Sequence, residues 1–294
     1  MLAEFDLAIP SSLEEALEAL AANELGTKVV PLAGGTNVLV DLRARRFSAD
    51  KLVSLRNLQV LRGIRVGADC VAVGGQTTVS DILQSQALAE IAPSLVEQAK
   101  FFGGQMVRNA ATIAGNVCCG SPAADLVFPL LALGAEVTLV GKRGSRMVPL
   151  SDFYLDYKKD VRRPDELMTE ISWLRPKRPS ANFSYKLGLR KGDAITVVGI
   201  AAALSVQDGR CVEARIAMGA VAPYARRAKA AEAILIGETL TPKLIDAAAI
   251  RASEEAEPID DIRASAEYRR HGVRVLTRRM VTQTWASLTT KGRS

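Results

Sequence analysis

Two glycine-containing segments hold the residues best suited to bind a ligand. The first, residues 30–37, reads Val-Pro-Leu-Ala-Gly-Gly-Thr-Asn. The second, residues 108–116, reads Arg-Asn-Ala-Ala-Thr-Ile-Ala-Gly-Asn and is followed by Ser-Pro-Ala-Ala-Asp at 121–125. Because glycine has no Cβ, the backbone N–H groups of such segments can approach a phosphate closely. Two of them together can hold both ends of a pyrophosphate, so they predict a dinucleotide ligand.

Neither segment fits the common nucleotide-binding fingerprints. The chain has no G-x-G-x-x-G at the start of a helix and no G-x-x-x-x-G-K-[ST]. Two further pairs, Gly74-Gly75 and Gly103-Gly104, lack the flanking residues. Since glycine commonly marks tight turns between strands, a turn without a ligand is the competing interpretation of any one pair.

Side chains that could catalyse a reaction by themselves are scarce. The single histidine, His271, lies in a basic helical stretch. The four cysteines, at 70, 118, 119 and 211, form no C-x-x-C pair. A histidine-based metal site, a Ser-His-Asp triad and a Cys-His dyad are therefore disfavoured. We expect neither catalytic residues nor metal ligands in this chain, and any redox chemistry must come from a bound cofactor.

Composition and charge restrict the class of protein. A chain of 294 residues with 48% hydrophobic content can form two or three domains with real cores. No apolar run is long enough for a membrane span, and the first residues lack a signal-peptide pattern, so we expect a cytoplasmic protein. The net charge is +6. Nucleic-acid binding is not expected, because no aromatic residues alternate with the basic ones and no recognition motif is present.

Hydrophobic patterning predicts the elements that must position the two segments. A capping box at residues 12–15 predicts a first helix, and strands at 28–32 and 51–55 on either side of a helical turn predict a small parallel sheet. Ser80 is the predicted cap of a helix that starts at Asp81. The last part of the chain is predicted to hold strands at 183–189, 196–205 and 211–218, followed by helices at 226–236, 242–254 and 265–286.

Taken in order, the motifs resemble those of the FAD-binding medium subunits of the molybdenum hydroxylases, the family of carbon monoxide dehydrogenase and bacterial xanthine dehydrogenase. The family's first motif is A-G-G-[TH]-[SND], which matches residues 33–37. Its second is R-N-x-x-[TS]-[IV]-[GA]-G-N followed by S-P-x-x-D, which matches 108–116 and 121–125. The segments 131–137, 217–223 and 258–270 also fit. The one visible departure is Ala114, where glycine is commoner.

The resemblance implies an α+β fold with two FAD-binding subdomains of the vanillyl-alcohol-oxidase/PCMH type. A C-terminal domain with a three-stranded antiparallel sheet and helices follows them. The expected divisions are an N-terminal α/β subdomain at 1–58, a central α+β subdomain at 59–175 and the C-terminal domain at 176–294. FAD is expected between the first two, with the C-terminal domain beside the isoalloxazine.

The resemblance also implies which residues hold the cofactor. The first segment should wrap the pyrophosphate from one side, and the second should meet it from the other. A carboxylate should accept a hydrogen bond from a cofactor hydroxyl, an aromatic ring should pack beside the adenine or the flavin, and a strand methionine should touch the isoalloxazine. A lysine near the polar edge of the flavin should stabilise negative charge on the reduced ring. In chain order these residues are Leu32, Ala33, Gly34, Gly35, Thr36, Asn37, Phe102, Thr112, Gly115, Asn116, Asp125, Met168 and Lys186.

The implied function is electron transfer within a larger complex. Electrons would come from molybdopterin on a large subunit, through two [2Fe-2S] clusters on a small iron–sulfur subunit, to the FAD of this chain. The acceptor could be NAD, oxygen, or a quinone or cytochrome. We expect a dimer of heterotrimers, whose substrate is set by a pocket on the large subunit.

Two other interpretations remain open from the residues. A self-contained flavoenzyme of the UDP-N-acetylenolpyruvylglucosamine reductase type also has a G-[GS]-x-N loop, which residues 34–37 resemble. Such an enzyme needs its own proton donors and a substrate-binding arginine cluster, which cannot be assigned here. A scaffold subunit that has lost FAD is the second alternative, and the intact Gly34, Gly35, Gly115, Asn116 and Asp125 disfavour it.

Overall fold

The computed structural model describes residues 4–190 and 192–290 as an α+β arrangement of three main sheets, one small hairpin and flanking helices. The strands are β1 (Asp6–Ala8), β2 (Val29–Leu32), β3 (Lys51–Ser54), β4 (Ile64–Val66), β5 (Cys70–Gly74), β6 (Glu136–Gly141), β7 (Gly144–Pro149), β8 (Tyr154–Asp156), β9 (Lys159–Asp160), β10 (Leu167–Leu174), β11 (Ser180–Gly188), β12 (Thr196–Gln207), β13 (Arg210–Gly219) and β14 (Arg226–Arg227). The α-helices are α1 (Leu13–Leu20), α2 (Val38–Arg43), α3 (Val79–Gln84), α4 (Gln86–Ile91), α5 (Pro93–Lys100), α6 (Gln105–Ala110), α7 (Ile113–Cys118), α8 (Val127–Leu133), α9 (Lys229–Leu235), α10 (Pro242–Glu254) and α11 (Ala266–Thr290).

The N-terminal part is the predicted parallel sheet, with strand order β1-β3-β2. Helix α1 begins after Ser12, whose hydroxyl accepts from the N–H of Glu15 at 3.2 Å. The carboxylate of Glu15 accepts from the backbone N–H of Ser11, at 2.8 Å, rather than from that of the cap itself. The second bond of the capping box is therefore made to Ser11, one residue before the N-cap. Two backbone N–H groups at the start of the helix are still satisfied.

The central part is a five-stranded antiparallel sheet with strand order β4-β5-β10-β6-β7, covered by the short helices α3–α8. The predicted cap of α3 was wrong. Thr78, not Ser80, is the N-cap, because Thr78 and Asp81 form a reciprocal capping box and the helix starts at Val79. A Thr-x-x-Asp pattern satisfies two helix donors, whereas Ser80 cannot do so from inside the first turn.

The second glycine segment, expected as a loop, is mostly helical. It consists of α6 and α7, which are separated only by Ala111 and Thr112. Thr112 begins α7 by accepting from the N–H of Gly115 at 3.1 Å. The segment docks on the end of β5, where the N–H of Ala114 donates to the carbonyl of Gly75 at 3.1 Å.

The C-terminal sheet has the order β11-β12-β13-β14 and is antiparallel throughout. The three long strands expected from the sequence are confirmed, and the two-residue β14 adds a short fourth strand. Because β14 occupies Arg226 and Arg227, the following helix begins at Lys229 rather than at 226. Helices α9–α11 cover one face of the sheet, and α5 and α8 of the central part cover the other.

Phe128 joins the central part to the C-terminal sheet. It lies in the first turn of α8, is 1% exposed, and sits over the paired glycines Gly199 and Gly219. A Cβ built on Gly199 would lie 2.7 Å from Cε1 of Phe128, and one on Gly219 would lie 2.8 Å from its Cδ1. The two glycines thus form a recess for the ring, whose burial stabilises the contact by about 1.5–3 kcal/mol.

The domain boundaries expected at 58/59 and 175/176 stay predictions.

The Gly199→Ala variant tests this recess. We expect its free energy of unfolding to fall by about 1–3 kcal/mol, because the added methyl group overpacks against Phe128. Urea denaturation followed by circular dichroism measures the change. Gly192→Ala is the matched control, since its methyl group would meet no atom within 4 Å. Equal losses in the two variants would show that the recess is not tightly packed.

Candidate functional site

The two glycine segments lie against each other, although residues 38–107 separate them along the chain. A Cβ on Gly34 would overlap the carbonyl oxygen of Ala110 at the end of α6. A Cβ on Gly115 would lie 3.9 Å from Cβ of Ala33. The close approach therefore requires glycine at 34, and it places the backbone of both segments around one region. This is the arrangement that the pyrophosphate prediction requires.

The first segment turns sharply at Gly35, whose φ of +71° is a left-handed conformation that favours glycine. Leu32 ends β2, and α2 begins immediately after Asn37. Thr36 and Asn37 are exposed. The side-chain amide of Asn37 donates to Asp41 at 3.1 Å, which orients it at the start of α2.

The second segment contributes Gly115 and Asn116 on helix α7 and Thr112 as the N-cap of that helix. The Oδ1 atom of Asn116 accepts from the N–H of Leu126 at 3.0 Å. This bond fixes the side chain of Asn116 and ties α7 to the segment that carries Asp125. The side-chain N–H groups of Asn116 make no hydrogen bond within residues 4–190 and 192–290, so they are free to donate to a ligand.

Asp125 and Lys186 form a buried ion pair that the sequence did not predict. Lys186 Nζ donates to Asp125 Oδ2 at 2.6 Å and to the carbonyl of Phe101 at 3.0 Å. The other oxygen, Asp125 Oδ1, accepts from Thr196 Oγ1 at 2.5 Å. Burial raises the pKa of Asp125, while the charge and hydrogen bond of Lys186 and the hydroxyl of Thr196 oppose that rise.

Lys186 is the last of three alternating polar residues on the face of β11 that meets α5. Asn182 Oδ1 accepts from the N–H of Ser94 at 3.0 Å. Ser184 Oγ donates to the carbonyl of Ser94 at 2.7 Å and accepts from Gln98 Nε2 at 2.8 Å. Side chains at alternate positions of a strand share one face, so this seam runs along α5 and ends at Lys186. It fixes the ammonium group beside the central part.

Phe102 and Met168 both pack against the hydrophobic core of the central part. Phe102 is half-buried against the central core, and its carbonyl accepts from the Arg108 guanidinium at 3.1 Å. Met168 is 2% exposed, and its Sδ lies 3.9 Å from Sγ of Cys118. Burial raises the pKa of the Cys118 thiol to about 11, so that thiol is protonated at neutral pH. Contact of Phe102 or Met168 with a flavin stays a prediction.

A cleft of about 520 Å³ opens beside Lys186. Its walls include Gln98 and Phe101 from the end of α5 and Tyr185 and Leu189 from β11 and the turn that follows. Arg279 of α11 lies over the ring of Tyr185, with its guanidinium carbon 4.8 Å from the ring centroid. The cleft has the size of a small-molecule site, and it places aromatic and aliphatic walls next to the lysine.

These residues fit a dinucleotide that ends in a planar ring. The glycine segments offer a cradle for a pyrophosphate, and Lys186 uses two of its three N–H donors on protein groups within the described residues. Across that same part of the chain, no three His, Cys, Asp or Glu side chains cluster closely enough to hold a metal ion. None of the described helices combines the length and apolar character that a membrane crossing needs.

The fold and the paired glycine segments define a flavin-nucleotide-binding protein. The family model described as the FAD binding domain in molybdopterin dehydrogenase matches residues 3–173. The model of the CO dehydrogenase flavoprotein C-terminal domain matches residues 183–284. The chain therefore belongs to the family of FAD-binding subunits of the molybdopterin dehydrogenases, and it is an oxidoreductase subunit. The expected α+β fold with FAD as the cofactor of this chain is confirmed.

Curated relatives match over nearly the whole chain. The carbon monoxide dehydrogenase medium chain of Hydrogenophaga pseudoflava is 30% identical over 283 residues, covering 96% of this chain and 97% of the relative. The xanthine dehydrogenase FAD-binding subunit of Escherichia coli O157:H7 is 28% identical over 279 residues, covering 94% of each.

Solved structures agree with this assignment. Carbon monoxide dehydrogenase from Hydrogenophaga pseudoflava superimposes with a TM-score of 0.92 at 31% identity, covering 97% of this chain and 99% of that one. Quinoline 2-oxidoreductase from Pseudomonas putida 86 gives a TM-score of 0.89 at 29% identity, covering 98% and 99%.

Sequence reasoning missed Thr196 and the carbonyl of Phe101. Both contact the Asp125–Lys186 pair directly. No motif marks them, because a backbone carbonyl has no residue type and a threonine at the start of an apolar strand usually contributes only to packing. The polar alternation of Asn182, Ser184 and Lys186 within a strand was the available signal, since alternate polar residues there indicate a polar contact on one face.

The Gly34→Ala variant tests the contact between the two segments. Its methyl group would overlap the carbonyl of Ala110, so the segments must separate, and we expect FAD affinity to fall at least about tenfold. The measurements are the flavin absorbance of the purified chain and an FAD titration. Gly104→Ala, whose methyl group meets no atom within 4 Å, should retain flavin. Normal flavin content in Gly34→Ala would refute the cradle.

Proposed function

We propose that this chain is the electron-transfer subunit of a molybdenum hydroxylase, and that its FAD passes electrons from a partner's iron–sulfur clusters to a final acceptor. The observation that carries the proposal is the backbone cradle at residues 33–35, 110 and 115, which lies in the same part of the fold as the buried Lys186. A backbone cradle suits a pyrophosphate, and a cation suits the polar edge of a flavin ring, so the two together support an FAD site.

Within this proposal, the backbone N–H groups of residues 33–37 would bind the pyrophosphate, and the side chains of Thr36, Thr112 and Asn116 would add donors. The N–H of Gly115 already donates to Thr112, and Gly115 would instead leave room for the phosphate because it has no side chain. Lys186 would hold its third N–H toward the ring. Asp125 keeps lone pairs on both oxygens besides its protein bonds, so it could still accept from a cofactor hydroxyl. Bound FAD would supply the redox chemistry that the side chains lack.

We infer two partner chains, a large molybdopterin subunit and a small subunit with two [2Fe-2S] clusters, assembled as a dimer of heterotrimers. Relatives are named as medium chains of dehydrogenases, which supports a multi-subunit complex. Apolar side chains beside the glycine segments are exposed, with Met106 at 87% and Val40 at 55%. Large apolar groups in solvent support a protein interface there.

The basic surface of α11 is a second candidate interface. Arg270, Arg274 and Arg278 follow one another at intervals of four residues and are exposed. Asp246 lies within 3.3 Å of Arg274 and 3.9 Å of Arg278, and it neutralises part of their charge. An acidic partner surface would complement the positive charge that remains.

We infer a cytoplasmic complex, whose electron acceptor is NAD, oxygen, or a quinone or cytochrome.

The isolated chain tests this division of labour. Loaded with FAD, it should show no flavin bleaching with organic substrates, because none of its side chains can activate water or a C–H bond. Adding the iron–sulfur and molybdenum subunits should restore substrate-driven bleaching of the flavin absorbance. Rapid bleaching with this chain alone would instead support a self-contained flavoenzyme. A chain that never binds FAD would support the scaffold alternative.

Two charge variants test the placement of Lys186. Lys186→Met should lower the flavin midpoint potential, because it removes the cation while the Asp125 carboxyl remains. Asp125→Asn should raise the potential, since it leaves the ammonium uncompensated. We expect shifts of tens of millivolts, about 30 mV corresponding to about 1.4 kcal/mol for a two-electron couple. Spectroelectrochemical titration measures both. Unchanged potentials with FAD bound would place the pair away from the ring.

A further inference from the structure

A β-bulge at the start of β12 changes the direction of one side chain beside the ion pair. In the register of β11 and β12, Leu187 pairs with Val198, but Gly188 pairs with Thr196. A regular antiparallel ladder would place Val197 opposite Gly188. Val197 is therefore an extra residue, and such a residue displaces the side chains before it to the other face of the sheet.

The packing shows the result of this displacement. Beyond the bulge, Val198 and Ile200 pack in the core under α9–α11, whereas Gly199 faces Phe128 on the opposite side. Val197 joins the same core as Val198, although strand alternation would place it on the other face. Thr196 is consequently turned to the face that carries Lys186 and Asp125, where it is fully buried.

We propose that Thr196 is a positioning residue of the flavin site, which holds the Asp125 carboxylate in place so that Asp125 in turn holds Lys186. Its hydroxyl donates to Asp125 Oδ1 at 2.5 Å, and Oδ2 is left for Lys186 at 2.6 Å. Without the hydroxyl, the carboxylate could rotate about its last bond, and the ammonium would lose its fixed partner. The relevance to the flavin rests on the proposed function, whereas the contact between Thr196 and Asp125 does not.

The surroundings of Asp125 make this hydrogen bond important. Lys186 on β11 is the charged group that contacts Asp125 among the described residues. The end of α5 faces the pair with a neutral group, the carbonyl of Phe101. β12 contributes the Thr196 hydroxyl. α7 contributes the neutral side chain of Asn116, which accepts from the N–H of Leu126, the residue after Asp125. A carboxylate with so few partners depends on each of them for the stability of its charged form.

The test compares Thr196→Val, which keeps the shape and removes the hydroxyl, with Thr196→Ser, which keeps the hydroxyl. Thr277→Val is the matched control, because Thr277 is equally buried in the same domain and its Oγ1 has no hydrogen-bond partner. The first readout is the thermal unfolding midpoint of the flavin-free full chain between pH 4 and pH 8, a range that starts at about the ordinary pKa of an aspartate and extends above it, where a raised pKa would lie.

We expect the unfolding midpoint of Thr196→Val to fall below that of the unmodified chain by an amount that grows with pH. Asp125 has a raised pKa when folded, so its favourable contribution is present at low pH and is lost as pH rises through that pKa. Removing a hydrogen bond to the charged form should raise this pKa further. Thr196→Ser should restore the original profile, and Thr277→Val should give a difference that does not change with pH.

The second readout is the flavin midpoint potential of the loaded chain as a function of pH. Thr196→Val should move the pH dependence of the potential to higher pH, in the direction expected from the raised pKa of Asp125, and Thr196→Ser should not. A pH-independent offset in both readouts, like that of Thr277→Val, would overturn the positioning role. If the unfolding profiles behave as expected but the unmodified chain binds no FAD, the positioning role stands and the proposed function fails.

Discussion

The close contact between the backbones of Gly34 and Ala110 is the constraint on which the rest of the site depends. It allows the end of the N-terminal parallel sheet to meet the junction of α6 and α7 without side chains between them. A dinucleotide phosphate can then lie between the backbone N–H groups of the first glycine segment and the side-chain donors of the second. A β-carbon at position 34 would move the two segments apart, so the absence of one methyl group couples the local turn to the placement of the sheet that precedes it against α6 and α7.

The C-terminal domain is held against this arrangement by two contacts of different kinds. Phe128 fits into the recess of Gly199 and Gly219, which is an apolar contact without direction beyond its shape. The polar seam of β11 along α5 adds directional hydrogen bonds and ends at Lys186. Burial of the aromatic ring supplies much of the stability, and the seam sets the register between the domains. The lysine is therefore as much a part of the domain interface as of the site.

Much of the local structure follows from the sequence because it depends on neighbours along the chain. Ser12 and Thr112 begin helices through bonds to residues three positions later, and apolar alternation marks the long strands of the C-terminal sheet. The wrong prediction of Ser80 as a cap concerns the same kind of local bond, since Thr78 and Asp81 satisfy two donors reciprocally. The helical form of the second glycine segment was missed because glycine weakens helix propensity, whereas docking on β5 stabilises these short turns.

The sequence by itself determined the family, the cofactor and the two glycine segments, because an ordered set of small-residue motifs is a one-dimensional signal. Only the tertiary structure decided that Asp125 forms an ion pair with Lys186, 61 positions away along the chain, and that the Thr196 hydroxyl donates to the same carboxylate. The reason is geometric. Regular strand alternation would place Thr196 on the face under α9–α11, and a single extra residue at Val197 turns it to the opposite face. A bulge is set by how two strands and their neighbouring helices pack together, which no local pattern along one strand records.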